Sequence, residues 1–363
     1  MAHNKNQHFV PQYYFRFFST STTMINSLLK ASGEIKKNIK IRNQCSKAYF
    51  YGSVKVEKAL GIMESQHSKL LKEILTIESK DDLTKFLENS ENRIHLIEII
   101  LFQRLRTSLE NNKMSEMLEK LAKELLKTEL TVKGEKELLE SLPKCNITLN
   151  KEWKQHILLK QIADIHSMQP ALFDLEVYIL NNQTQRKFIF SDSPVVFYNK
   201  AYRHIKDRGT IGLQSPGLLI FFPISKNRCL LLIDKIKYSG SIIGNQFYNI
   251  TNEFDINNIN KLQLHHSMNT VYFSEDTNSK QILKLWKQER NKFDKSYCNV
   301  NTVDEIIDGE VSKNSNLTIS HLSHIPYELN LSFLKSSIKN NEPMNHYRDK
   351  ELYNLMKKGK DEK

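Results

Sequence analysis

Glycine is scarce in this 363-residue chain, eleven in all, and its placement is as telling as its number. Neither GxGxxG nor GxxxxGK[ST] occurs, which removes the usual phosphate-cradling loops of nucleotide folds. A GxSxG nucleophile elbow and a local Cys–His signature are missing too. Cysteine is sparse: Cys45, Cys145, Cys229 and Cys298 lie far apart without a CxxC pair. That argues against a disulfide or zinc framework and for reduced thiols in a cytoplasm. No run of eighteen apolar residues exists, so no membrane-spanning helix and no membrane partner is expected. The first twenty residues hold no apolar core after a basic start, which argues against a secretory signal. No internal repeat is found.

What the chain does have is concentrated at its start. Gln7 to Phe18 packs a histidine, two glutamines, an arginine and six aromatic rings into twelve residues. Chain ends are normally polar and loosely held, so such rings demand burial and the polar groups with them need partners. The net charge of +12 is uneven. Residues 1–60 hold ten Lys/Arg against Glu34 and Glu57, and residues 185–240 hold ten against Asp192, Asp207 and Asp234; the remainder is slightly acidic. Two basic zones fit a polyanion such as RNA or DNA. The competing reading is a lysine-rich composition spread over every surface.

Periodicity suggests an α+β fold, with a mainly helical part (1–169) and a sheet-containing part (170–300) whose sheet is mostly antiparallel or mixed. Residues 301–363 read as a weakly ordered, Lys-rich tail. Residues 20–32 read as Ser/Thr-rich and then helical, and 35–52 as a small hairpin. Leu60, Met63, His67, Leu70, Leu71 and Ile74 form a helical stripe, with Glu64 beside it. Arg93 to Glu110 reads as a central helix, apolar on nearly all sides, that carries Gln103, Arg104 and Arg106 after its apolar run. Residues 114–142 are an amphipathic, charge-laced region broken near Gly134. Strands are expected over 175–180, 187–190, 216–223, 229–233 and 270–273, and a helix over 256–268 capped by Asp255.

Four phrases then coincide. The chain opens with His8-Phe-Val-Pro-Gln-Tyr-Tyr-Phe-Arg-Phe17; Gln103 to Thr107 supplies Gln-x-x-Arg-Thr; Ser191 to Val195 reads Ser-Asp-Ser-Pro-Val; and Phe222-Pro-Ile-Ser225 follows. In this order they resemble a bacterial family of uncharacterised proteins, domain-of-unknown-function family 4238, from residue 3 to about residue 275. Ser193 replaces the asparagine of the family phrase. The resemblance implies which residues to examine and brings no reaction.

Pro11 suits the first turn of a helix, which puts Gln12 and Arg16 one turn apart with His8 just ahead. His8 is then a candidate general acid/base, with Gln12 and Arg16 clamping substrate; alternatively His8 and Gln12 bond the backbone of a packed anchor. Arg104 and Arg106 could hold phosphate, though a buried ion pair with Glu64 or Asp192 is the commoner fate. Asp192, at a strand end before proline, is a candidate catalytic group, and its alternative is a turn cap. Glu64 and Asp192 could together hold Mg²⁺ or Mn²⁺. The expected function is a nucleic-acid-acting phosphodiesterase or nuclease, consistent with bacterial stress or phage defence. The alternatives are a non-catalytic nucleic-acid- or protein-binding module and a hydrolase of a small phosphorylated metabolite. The reading requires His8, Arg106 and Asp192 to meet.

Overall fold

The computed structural model describes residues 6–294, 296–307, 310–339, 342–348 and 351. The aromatic opening is an anchor. Strand β1 (Asn6–His8) leads into helix α1 (Gln12–Arg16), entered through Pro11 at the N-cap. Phe9, Val10, Tyr14, Phe15 and Phe18 are all at most 6% exposed. The Tyr14 ring stacks on Phe222 with centroids 5.4 Å apart and donates its hydroxyl to the Pro223 carbonyl. Phe15 meets Phe190 and Tyr272 edge-on, at 5.0 and 4.9 Å. One short segment is therefore glued by ring packing to strands nearly two hundred residues away or more.

Residues 20–32 are not helical, and no hairpin spans 35–52. Strand β2 (Met24–Leu29) pairs with β3 (Ile35–Lys40), and β4 (Ser46–Ala48) pairs back onto β1. The apolar Ile25 and Leu28 are wholly buried, and that burial decides for strand over helix. The turn between β2 and β3 needs Gly33 at φ +73°, where a Cβ would stand 2.5 Å from the Trp286 ring.

Helices α2 (Val54–Thr76), α3 (Lys80–Glu88), α4 (Ser90–Leu105), α5 (Ser108–Lys133), α6 (Lys136–Ser141), α7 (Lys151–Ala163) and α8 (Ile165–Met168) follow. Ser53, Ser79, Asn89, Thr107 and Asn150 cap α2, α3, α4, α5 and α7 with side-chain oxygens. Leu96, Ile97, Ile99, Ile100, Leu101 and Phe102 of α4 are each at most 1% exposed, as its all-round apolar character predicts. The expected single helix to Glu110 instead breaks at Arg106–Thr107, because Thr107 caps a new helix. Gly134, left-handed at φ 71°, ends α5.

Strands β5 (Glu176–Asn182), β6 (Phe190–Ser191), β7 (Val196–Asn199), β8 (Leu218–Pro223), β9 (Arg228–Ile233), β10 (Tyr238–Ser239) and β11 (Phe247–Ile250) come next. Helix α9 (Glu253–His266), β12 (Thr270–Phe273), helix α10 (Ser279–Glu289), β13 (Cys298–Ile307), β14 (Glu310–Leu322) and β15 (Lys335–Ser336) complete the order. Two main sheets result. One runs β11-β5-β9-β8-β7, with β11 parallel to β5 and the rest antiparallel; the other runs β3-β2-β12-β6, all antiparallel. The fold is α+β, but the division into a helical N-terminal half and a C-terminal sheet is corrected: β2 and β3 build half of the second sheet. Asn252, not Asp255, caps α9; the buried Asp255 instead accepts the Ser332 N–H at 2.7 Å.

Part of the stretch expected as a loose tail is built into the fold. Tyr327, Leu329, Leu331, Phe333 and Leu334 are buried in the main core, and the Tyr198 hydroxyl accepts the Leu329 N–H at 2.8 Å. Apolar side chains every second residue supply that burial. The terminal residues 352–363 lie outside the described residues.

Candidate functional site

The site begins at the N-terminal anchor and the face of α2 opposite its core stripe. Leu60, His67, Leu70, Leu71 and Ile74 are buried, with His67 Nε2 bonded to Glu98 at 3.3 Å. Glu57, Gly61, Glu64, Ser65, Ser68 and Lys72 recur at three- and four-residue steps on the other side. They line a cleft of about 490 Å³ whose facing wall is His8, Gln12, Tyr13 and Arg16, with Lys69 at the rim. The small residues make the space: nothing lies within 4 Å of a Cβ built on Gly61. A second cleft of about 330 Å³ is lined by Thr22, Thr23, Met24, Lys40, Ile41 and Arg42, and shares Gln12 and Arg16 with the first. The two clefts, together the groove, adjoin at Gln12 and Arg16, which stand in both walls, and Arg16 Nη2 donates to Gln12 Oε1 at 3.5 Å.

Beneath the groove sits Arg106, wholly buried. It forms an ion pair with Glu64 at 2.7 Å, donates from Nε to the Tyr51 hydroxyl at 2.9 Å and from Nη2 to the His8 carbonyl. This holds both the acidic face of α2 and the histidine backbone. The His8 ring is held by the Arg42 carbonyl, 3.1 Å from Nε2, which makes Nε2 the protonated nitrogen and Nδ1 the lone-pair nitrogen. Burial lowers the His8 pKa, against the effects of the Arg42 carbonyl and Glu64, so the neutral ring is favoured near neutral pH. Burial raises the Glu57 carboxyl, opposed by Arg106, and Glu57 Oε2 is buried without a hydrogen-bond partner.

The seven residues singled out from sequence thus separate. His8, Gln12, Arg16 and Glu64 share the groove, and Arg106 supports it from below. Arg104 does not join them. Residues two apart at a helix end point to opposite sides, so Arg104 faces away from Arg106. It bonds Glu110 through Nε at 3.3 Å and stacks on the Phe197 ring at 3.5 Å. Burial alone would raise the Glu110 carboxyl, yet Arg104 and Lys113 hold it at about 2. Lys113 also meets His266 Nε2 at 3.0 Å, while His266 Nδ1 donates to the Ser193 carbonyl at 2.9 Å.

Asp192 lies in neither cleft wall. Its carboxylate accepts the backbone N–H groups of Met268, Asn269 and Thr270 at 2.8, 2.8 and 3.1 Å. It fastens the turn before β12, 76–78 residues further along the chain, rather than capping the local turn of Ser191 and Ser193. The meeting of His8, Arg106 and Asp192 is therefore corrected to His8, Arg106 and Glu64. Glu64 and Asp192 do not converge on a shared cation, and among the described residues no three His, Cys, Asp or Glu side chains are grouped to hold a metal ion.

The basic zones also divide. In the second, Arg186 pairs with Glu253, Lys226 with Asp276, Lys235 with Glu176 and Lys237 with Glu342. Arg203 and Arg228 donate to backbone carbonyls. That zone is largely consumed by the fold. By contrast Arg16, Lys40, Arg42, Lys69 and Lys72 line the groove without an ion-pair partner among the described residues. The sequence reading missed Tyr13, Glu57, Ser65, Ser68, Lys69 and Lys72 as a set. The available signal was the small-and-charged stripe of α2, out of phase with its apolar stripe.

No curated protein and no solved structure matches this chain. The family model described as "Protein of unknown function (DUF4238)" matches residues 6–277, and the chain belongs to that family.

Proposed function

We propose that this chain binds single-stranded nucleic acid along the groove and cleaves a phosphodiester beside His8. The observation that carries the reading is that the two clefts share Gln12 and Arg16 in their walls, with Arg16, Lys40, Arg42, Lys69 and Lys72 lining them. Several cations at an open surface suit the phosphates of a strand, whereas a metabolite hydrolase would need a closed, deep pocket. Arg16, Ser65, Lys69 and Lys72 are all solvent-exposed, so the groove admits a polymer. Neutral His8 is suited to accept a proton, and Arg16 to stabilise charge on the phosphoryl oxygens. Glu64 and Arg106 position this machinery. Such an activity suits a role in stress or phage defence.

A second reading, binding without cleavage, is favoured by the complete internal engagement of Arg106. One experiment separates them. Labelled RNA, single-stranded DNA and duplex DNA are incubated with the protein, with and without Mg²⁺ or Mn²⁺, beside a His8→Ala variant. Cleavage that disappears in His8→Ala supports the nuclease. Salt-sensitive binding with no cleavage in any condition supports the binding module, and neither binding nor cleavage removes both.

A further inference from the structure

Glu57 is the one groove carboxylate without a cation of its own. Glu64 is occupied by Arg106 at 2.7 Å, whereas Glu57 Oε2 has no hydrogen-bond partner. Both Glu57 and His8 line the same cleft, and the His8 backbone N–H reaches the Glu57 carboxyl, which ties that carboxyl to the residue bearing the ring. The charged and titratable groups facing them are Arg106, Glu64 and Tyr51 below, Tyr13 and Arg16 across the cleft, and Lys69 and Lys72 further along α2. A base and a carboxyl with one unbonded oxygen, on the walls of one cleft, are the two proton-transfer groups that an intramolecular transesterification needs. In that reaction the substrate supplies its own nucleophile.

Resting on the reading of the groove as a nuclease site, we infer that the substrate is RNA, with the ribose 2′-hydroxyl as nucleophile, His8 as general base and Glu57 as general acid. The 2′-oxygen bonds to phosphorus while the bond from phosphorus to the 5′-oxygen breaks. The 2′-hydroxyl proton passes to His8 Nδ1, and the Glu57 proton passes to the departing 5′-oxygen. The products are a 2′,3′-cyclic phosphate and a 5′-hydroxyl, and solvent returns His8 and Glu57 to their starting protonation states. Burial favours the neutral form of both groups, His8 unprotonated and Glu57 protonated. The rate then falls on the acid side as His8 protonates and on the alkaline side as Glu57 ionises.

The test uses the full chain with a labelled RNA strand, the same strand carrying one 2′-deoxynucleotide at the principal cut, and an all-DNA strand. The expected result is a cyclic-phosphate end on the RNA, loss of that cut in the 2′-deoxy strand and no cutting of DNA. Glu57→Gln should lower the rate by roughly 10²–10⁴-fold, retain strand binding and lose the alkaline limb of the pH profile. Should Glu57→Gln fail to fold, the 2′-deoxy strand still decides. DNA cut as fast as RNA, or a cut that survives 2′-deoxy substitution, overturns this inference while leaving a nuclease in place. No cutting of any strand overturns the nuclease reading itself.

Discussion

Replacing Arg106 should be among the most damaging single changes in this chain. Its guanidinium is 0% exposed and serves three groups: the Glu64 carboxylate, the Tyr51 hydroxyl and the His8 carbonyl. Arg106→Ala leaves a carboxylate without its cation, two polar groups without a donor, and a void. Removing one partner of a buried ion pair costs about 3–5 kcal/mol. Glu64 keeps 23% of its side chain exposed and can recover some hydration, which pulls the figure to the lower end, about 3 kcal/mol. Glu64→Gln leaves the wholly buried guanidinium without its counter-ion, though an amide oxygen can still accept from it, and should also cost about 3 kcal/mol. In the double variant the two losses should be less than additive by about 1–2 kcal/mol. Urea unfolding followed by far-ultraviolet circular dichroism measures all three, with an unchanged slope as the check on comparable unfolded states. A loss under about 1 kcal/mol for Arg106→Ala, or full additivity, would refute the argument that this pair holds the groove floor.

Further predictions follow from the buried polar groups. Burial lowers His265 to about 4, opposed by Glu289, and lowers His266 well below the usual histidine value. The unfolded chain takes up those protons first, so stability is fully present above about pH 6.5 and declines as pH falls toward 4, by about 3 kcal/mol for His265. Urea titrations at pH 7.5, 6 and 5 check this, and a flat profile contradicts it. Asp192→Asn must turn its amide toward at least one of the three N–H groups now bonded. It should cost about 1–3 kcal/mol and leave the rate per folded molecule unchanged, where a catalytic Asp192 would lose rate at full stability.

Much of the fold was legible because local chemistry and tertiary packing agree there. The apolar length of α4, the Ser79 cap, the Gly134 break and the run of β8, β9 and β12 are each set by their own residues. The β2–β3 hairpin was not legible, since its pairing with β12 depends on residues about 240 positions away. The burial of Leu329 to Leu334 escaped for the same reason: short apolar phrases among polar residues bury only if a distant surface receives them. In the site, that His8, Gln12 and Arg16 share one cleft wall was legible because all three sit on or beside one short helix. Arg104 and Arg106 look equivalent in sequence, and only the turn of the helix end sends one to Glu110 and the other to Glu64. Asp192 looked chemical because an acid before proline often projects into a cleft, yet here three backbone amides occupy it.

The most direct test of the groove is the salt dependence of binding to a labelled single-stranded RNA. Each phosphate contact contributes a slope of about −0.7 in a plot of log affinity against log salt. The triple variant Lys40→Gln/Lys69→Gln/Lys72→Gln should flatten the slope by about 2 relative to the unaltered chain. Identical slopes for the two proteins, or an unaltered chain that does not bind, would contradict the account.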